Sequence, residues 1–161
     1  MSLQGSIRIR VVTGRDEISK LNAEEKAVHL AFRPADRDLF NLIKVCPMIE
    51  LLQFPASAYE ALSKFMRMYL DSAGIQLVKG DVSGHWHDLE NYFVVPAYVI
   101  EKINELKAQG ISEEEIISEV TGLRRISPDL IRHLIYKVSS ETEKRSRERK
   151  IKTLSRQEKL R

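Results

Sequence analysis

The chain has 161 residues, with 26 Lys and Arg against 23 Asp and Glu, 43% apolar side chains and a single cysteine. That length suits one domain, or a compact domain with a small appendage, and it buries a sizeable core without metal or disulfide. Cys46 has no intrachain partner, and neither a ~20-residue apolar run nor a secretory leader occurs, so membrane-spanning and secreted classes are excluded and a cytoplasmic protein is expected.

Met1 to Ser6 reads like an appended linker and is set aside. Ile7–Val12 is a β-branched, alternating run that predicts a strand, turned by Thr13-Gly14 before one or two helical turns over 15–22. A second apolar run over 27–32 is broken by Pro34, and Asp36 opens a helix to about Lys44, ended by Pro47. Residues 48–54 form a third strand. Ala58, Leu62, Phe65, Met66, Tyr69 and Leu70 then keep helical spacing up to Gly74, at a favoured helix C-cap position, and 75–79 is a fourth strand.

Strand and helix alternating at this pitch predict an α/β fold: a mostly parallel sheet of about four strands with flanking helices, built from βαβ units with right-handed crossovers. The sheet is either covered on both faces or partly bare. A leucine-rich repeat is a competing reading of Phe40 through Leu51, although the repeats are irregular and the usual ladder Asn is missing. After a polar, turn-rich loop over 80–91, Tyr92–Val95 offers a short extra strand.

From Pro96 the pattern becomes helical. Val99, Ile100, Ile103 and Leu106 share one face of a helix that Gly110 ends. Ser112 with Glu115 is a capping box that starts a second helix over 113–120. Thr121-Gly122-Leu123 reads as a turn. Ser127 is an N-cap, Pro128 a first helical residue, and Leu130, Ile131, Leu134, Ile135 and Val138 the stripe of a third helix over 128–138. The boundaries expected are therefore an α/β domain over 7–95, a small three-helix segment over 96–138 and a basic tail over 139–161, exposed as a helix or disordered.

Charge is unevenly shared. Residues 1–122 hold 13 basic and 18 acidic side chains, while 123–161 hold 13 basic and 5 acidic. A polyanion would meet the basic end. Within the tail, Glu141/Arg145, Glu143/Arg147 and Glu148/Lys152 sit at i,i+4 with the acid first, which supports a helix. Its apolar content is too thin for a coiled-coil seam, and it has no aromatic residue for stacking on single strands.

Ile117-Ser118, Gly122-Leu123, and Ile131 with Leu134 carry a resemblance of 97–138 to helix-turn-helix DNA-binding domains, provided Arg124-Arg125-Ile126 is a three-residue insertion in the turn. The resemblance implies that 128–138 enters the major groove of duplex DNA. Ser127, Arg132 and His133 then face bases or phosphate, with Arg124, Arg125 and Lys137 nearer the backbone. Asp129 is an unfavourable neighbour of phosphate. A cap that packs on the sheet or dimerises is the alternative.

The C-terminal edge of a parallel sheet is where ligands collect. Arg33, Ser57, Asp81, His85 and His87 fall there and form a candidate ligand site, with Arg33 suited to clamp a carboxylate or phosphate. His85-Trp86-His87-Asp88 fits no zinc spacing, so neither metal nor cofactor is assigned. No dinucleotide fingerprint or P-loop occurs. Cys46 does not look like a nucleophile, and His29, inside an apolar run, is expected to be a hydrogen-bonded core residue.

Ile7–Val12, the Val28-His29-Leu30-Ala31-Phe32-Arg33-Pro34 stretch, and Gly80-Asp81-Val82 with Gly84-His85 resemble a small family of uncharacterised proteins from methanogenic archaea over most of 7–135. That resemblance implies a cytoplasmic archaeal protein and brings no functional residue. Together these readings predict a DNA-binding, regulatory homodimer whose α/β part dimerises or senses a ligand. The alternatives are a small-ligand or enzymatic domain at the strand edge, and an interaction scaffold.

Overall fold

The computed structural model describes residues 6–81, 91–123 and 126–160. Its centre is a five-stranded sheet of β1 (Ile7–Val12), β2 (Ala27–Leu30), β3 (Leu51–Phe54), β4 (Gln76–Lys79) and β5 (Tyr92–Val95), in the order β4-β3-β2-β1-β5. The first four strands are parallel and β5 runs antiparallel beside β1. The expected mixed α/β fold with a mostly parallel sheet is present, and Tyr92–Val95 supplies the fifth strand as one edge.

Each crossover from β1 to β4 steps one strand in the same direction, so right-handed connections put all of them on one face. These are a short 3-10 helix (Arg15–Lys20), α1 (Asp36–Val45), α2 (Ala56–Glu60) and α3 (Lys64–Ser72). Val12, Val28, Leu30, Leu52 and Phe54 point at them and share a core with Ile18, Leu39, Leu42, Met66 and Leu70. The helix expected over 58–73 is two helices, because Ser63 accepts a bond from the Met66 N–H at 3.1 Å and starts α3 afresh. Asp38 caps α1 by accepting from the Ala35 N–H at 2.8 Å. The leucine-rich repeat reading gives way to this sheet, whose strands step through α-helical crossovers.

The opposite face, carrying Ile9, Val11, Ala27, Leu51, Val78, Phe93 and Val95, is covered by α4 (Ala97–Ala108), α5 (Glu113–Leu123) and α6 (Pro128–Lys159). Val99, Ile100, Ile103, Ile116, Val120, Leu130, Ile131, Leu134 and Val138 complete that second core. The sheet is thus the middle of three layers, and its inner strands are buried on both sides, as all-parallel strands require. No helix among the described residues is long and apolar enough to cross a membrane.

Two boundaries differ from expectation in the C-terminal layer. Thr121-Gly122-Leu123 is the last turn of α5, not a loop. And α6 does not stop at 138: it runs unbroken for 32 residues, about 48 Å at 1.5 Å per residue, so the third helix and the basic tail are one element.

Candidate nucleic-acid interface

Helices α4, α5 and α6 pack as a three-helix unit whose apolar faces all turn toward the sheet. Of the connection between α5, described to Leu123, and α6, which starts at Pro128, Ile126 and Ser127 are described. Arg124 and Arg125, and with them the three-residue insertion expected in the turn, lie outside the described residues. Ile126 anchors that connection in the core at 2% exposure. Ser127 caps α6 by accepting from the Leu130 N–H at 3.1 Å, and Pro128 at the first position lacks the N–H that would otherwise want a partner.

The start of α6 is seated on the C-terminal ends of β3 and β4. Asp129 Oδ2 accepts from the backbone N–H of Lys79 at 3.1 Å. A Cβ on Gly80 would lie 2.6 Å from Ser127 Oγ and 2.9 Å from Gln53 Nε2, so only glycine lets helix and strand approach this closely.

The face of α6 turned away from the core adjoins edge strand β4. A groove of about 540 Å³ runs between them, bounded by Gln76 and Leu77 on the strand and by Arg132, His133 and Tyr136 on the helix. Arg132 pairs with Glu113 at 3.0 Å and with Asp129 at 3.2 Å, and Lys137 pairs with Glu50 at 3.1 Å. His133 is partly buried. Desolvation, aided by the neighbouring Lys137 charge, pushes its pKa down to about 4, so the ring is neutral at pH 7. Of the residues expected at the interface, Ser127, Arg132, His133 and Lys137 therefore lie close together along one helix. Arg124 and Arg125 lie outside the described residues, as do His85 and His87. Sequence reasoning missed Glu50 and Glu113, the carboxylates that hold the two cations in place, as no local pattern links Glu50 to Lys137.

Beyond Glu141, α6 is exposed on every side. Among the described residues Lys144, Arg145, Arg147, Arg149, Lys150, Lys152 and Arg156 make no ion pair, and the anticipated Glu143/Arg147 and Glu148/Lys152 pairs are not formed. The cations of this arm are left to solvent.

At the strand edge, Arg33 follows β2, Ser57 lies in the first turn of α2 after β3, and Asp81 follows β4, all exposed. Behind them is a polar pair with no expected counterpart. His29 on β2 and Gln53 on β3 are register partners, both face the α4–α6 layer, and both are buried. Among the described residues, neither ring nitrogen of His29 nor the Oε1 of Gln53 has a hydrogen-bond partner. The expected hydrogen-bonded histidine is thus a buried but unsatisfied one. Burial lowers its pKa to about 4, against a smaller opposing effect of the Asp81 carboxylate.

The arrangement defines a three-layer α/β protein whose third layer is a three-helix unit. The chain belongs to a family of unknown function (DUF1699), whose N-terminal domain model matches residues 8–91. A second model, described as the C-terminal HTH domain of the same family, matches residues 98–136. The first match takes in β1 to β4 and the second α4 to the buried start of α6. No curated protein and no solved structure matches the chain.

Proposed function

We propose that this protein binds duplex DNA, as a regulatory homodimer in the cytoplasm of an archaeal cell, through α6 and the connection that precedes it. The carrying observation is the continuity of α6: one rigid element begins inside the helix-turn-helix core and ends as an arm of unpaired cations. The match to an HTH domain supports the same reading. Exposed ion pairs contribute only about 0.2–1 kcal/mol, so Arg132 and Lys137 exchange Glu113 and Glu50 for phosphate at little cost. Arg124 and Arg125 join them at the backbone. Ser127 sets where the helix begins, and His133, neutral at pH 7, offers a hydrogen bond but no charge.

Fluorescence anisotropy on random and genomic duplexes tests this, from about 50 to about 200 mM salt, where phosphate-dominated binding weakens by orders of magnitude. The full chain is expected to bind with a steep salt slope, and a chain truncated after Ser140 with a shallow one. The variant carrying Arg124→Ala, Arg125→Ala and Arg132→Ala should lose preference among sequences. Absence of binding by the full chain at the lowest salt overturns the proposal.

A second reading is favoured by the unsatisfied His29 and Gln53: a small polar ligand held at the strand edge by Arg33, Ser57, Asp81, His85 and His87. A ligand-screening thermal shift that disappears in His29→Leu supports it, and one that survives in that variant counts against it.

A further inference from the structure

Helices α1 and α3, on the sheet face opposite α6, carry aromatic side chains pointed at solvent. Phe65 is 62% exposed, Met68 65%, Phe40 41% and Tyr69 37%. They are continuous: Phe40 meets Tyr69 edge-on at 5.0 Å, and Phe65 stacks beside Tyr69 at 6.3 Å. Isolated apolar side chains on a surface are ordinary, but a connected group of three rings and a thioether is the composition of an interface core.

The flanking charges say what covers it. Lys64 and Asp71 lie at the two ends of α3, seven residues apart on the stripe that passes through Met68, with Phe65 and Tyr69 along one side of it. Both are exposed, and among the described residues neither makes an ion pair. Two copies of α3 packed antiparallel about a two-fold axis near Met68 place Lys64 of each copy against Asp71 of the other. The aromatic cluster is then shared at the centre. This pattern is self-complementary, as an isologous contact requires.

We infer that the α1–α3 face is the site at which a second copy of this chain docks, through antiparallel α3 helices. The contact leaves α6 of both copies open on the outer faces, and it stands whether or not α6 binds DNA.

Sedimentation of the full chain from about 1 to about 100 µM is expected to show a dimer of twice the monomer mass. Phe65→Asp should weaken it at least tenfold, as loss of a central aromatic anchor does. Lys64→Asp and Asp71→Lys should each weaken it several-fold by setting like charges face to face. Their combination should restore the original affinity to within about twofold. Both charge substitutions suit the helix dipole, Asp at the start of α3 and Lys at its end, so a lost dimer does not report a damaged helix. The charge exchange decides the matter even if Phe65→Asp fails to fold. A monomer across the whole range overturns the inference. So does a dimer indifferent to these substitutions, or one abolished by truncation after Ser140.

Discussion

Replacing His29 by leucine is expected to make the protein more stable. The ring is 0% exposed, and among the described residues its one N–H and one lone-pair nitrogen have no partner. A buried polar group without a partner costs about 1–3 kcal/mol, and leucine of similar volume removes that cost, giving a gain of about that size near pH 7.5. The gain should grow in acid. Burial holds the folded-state pKa at about 4 against the ordinary 6.5. Between those values the unfolded chain takes up a proton that the folded one refuses, so stability falls as pH drops through 6.5 and the loss levels off below 4. The gap corresponds to about 3 kcal/mol in full, of which about 2 kcal/mol is lost by pH 5. His133 acts in the same direction but is present in both proteins, so the difference isolates His29. Urea unfolding of wild type and His29→Leu near pH 7.5 and near pH 5 measures both parts, with unchanged m values. Equal losses of stability in the two proteins on acidification, or a leucine variant markedly less stable at pH 7.5, would refute the reasoning.

Gly80→Ala should destabilise by about 1–3 kcal/mol in urea, since its methyl group would overlap Ser127 Oγ and Gln53 Nε2. Adding Ser127→Ala should cost less than the sum of the two changes, because it removes one of the clashing atoms. Cys46 is buried, donates to the Asn22 carbonyl at 3.2 Å, and has its thiol pKa raised by burial and the nearby Glu25. It should therefore react with a thiol reagent near neutral pH only as fast as the protein opens. Truncation after Ser140 should leave the melting temperature within about 2 °C, since the arm contributes nothing to either core.

Much of this architecture was written in short-range signals. β-branched runs such as Ile7–Val12, the breaks at Pro34, Pro47 and Gly74, and the Ser127-Pro128 cap locate most elements, because each acts on its own few residues. Gly122 misled: a glycine reads as a turn, yet here it is simply tolerated in an exposed last helical turn, at a cost of about 1 kcal/mol relative to alanine. The continuity of α6 was obscured because its apolar stripe ends at Val138, whereas the helix does not. The candidate site was harder to see. Ser127, Arg132, His133 and Lys137 are local to one helix, but Glu50, Gly80 and Gln53 reach them only through sheet register and layer packing. His29 stood out in its apolar run, but its lack of a partner depends on Gln53 and on what the helical layer brings above it.

The order in which the layers enter the chain has a cost during synthesis. Strands β1 to β4 and their crossovers are complete by Lys79, but the face bearing Ile9, Val11, Leu51 and Val78 waits for α4 to α6. Some sixty residues separate Lys79 from Val138, which at about 5–20 residues per second leaves that face bare on the ribosome for roughly 3–12 s. An unfinished chain is a sheet with a greasy side and an open edge at β1, where β5 has yet to pair, the very features that invite sheets to stick to one another. The helix-turn-helix unit is thus a chain-borne shield for its own sheet before it is anything else.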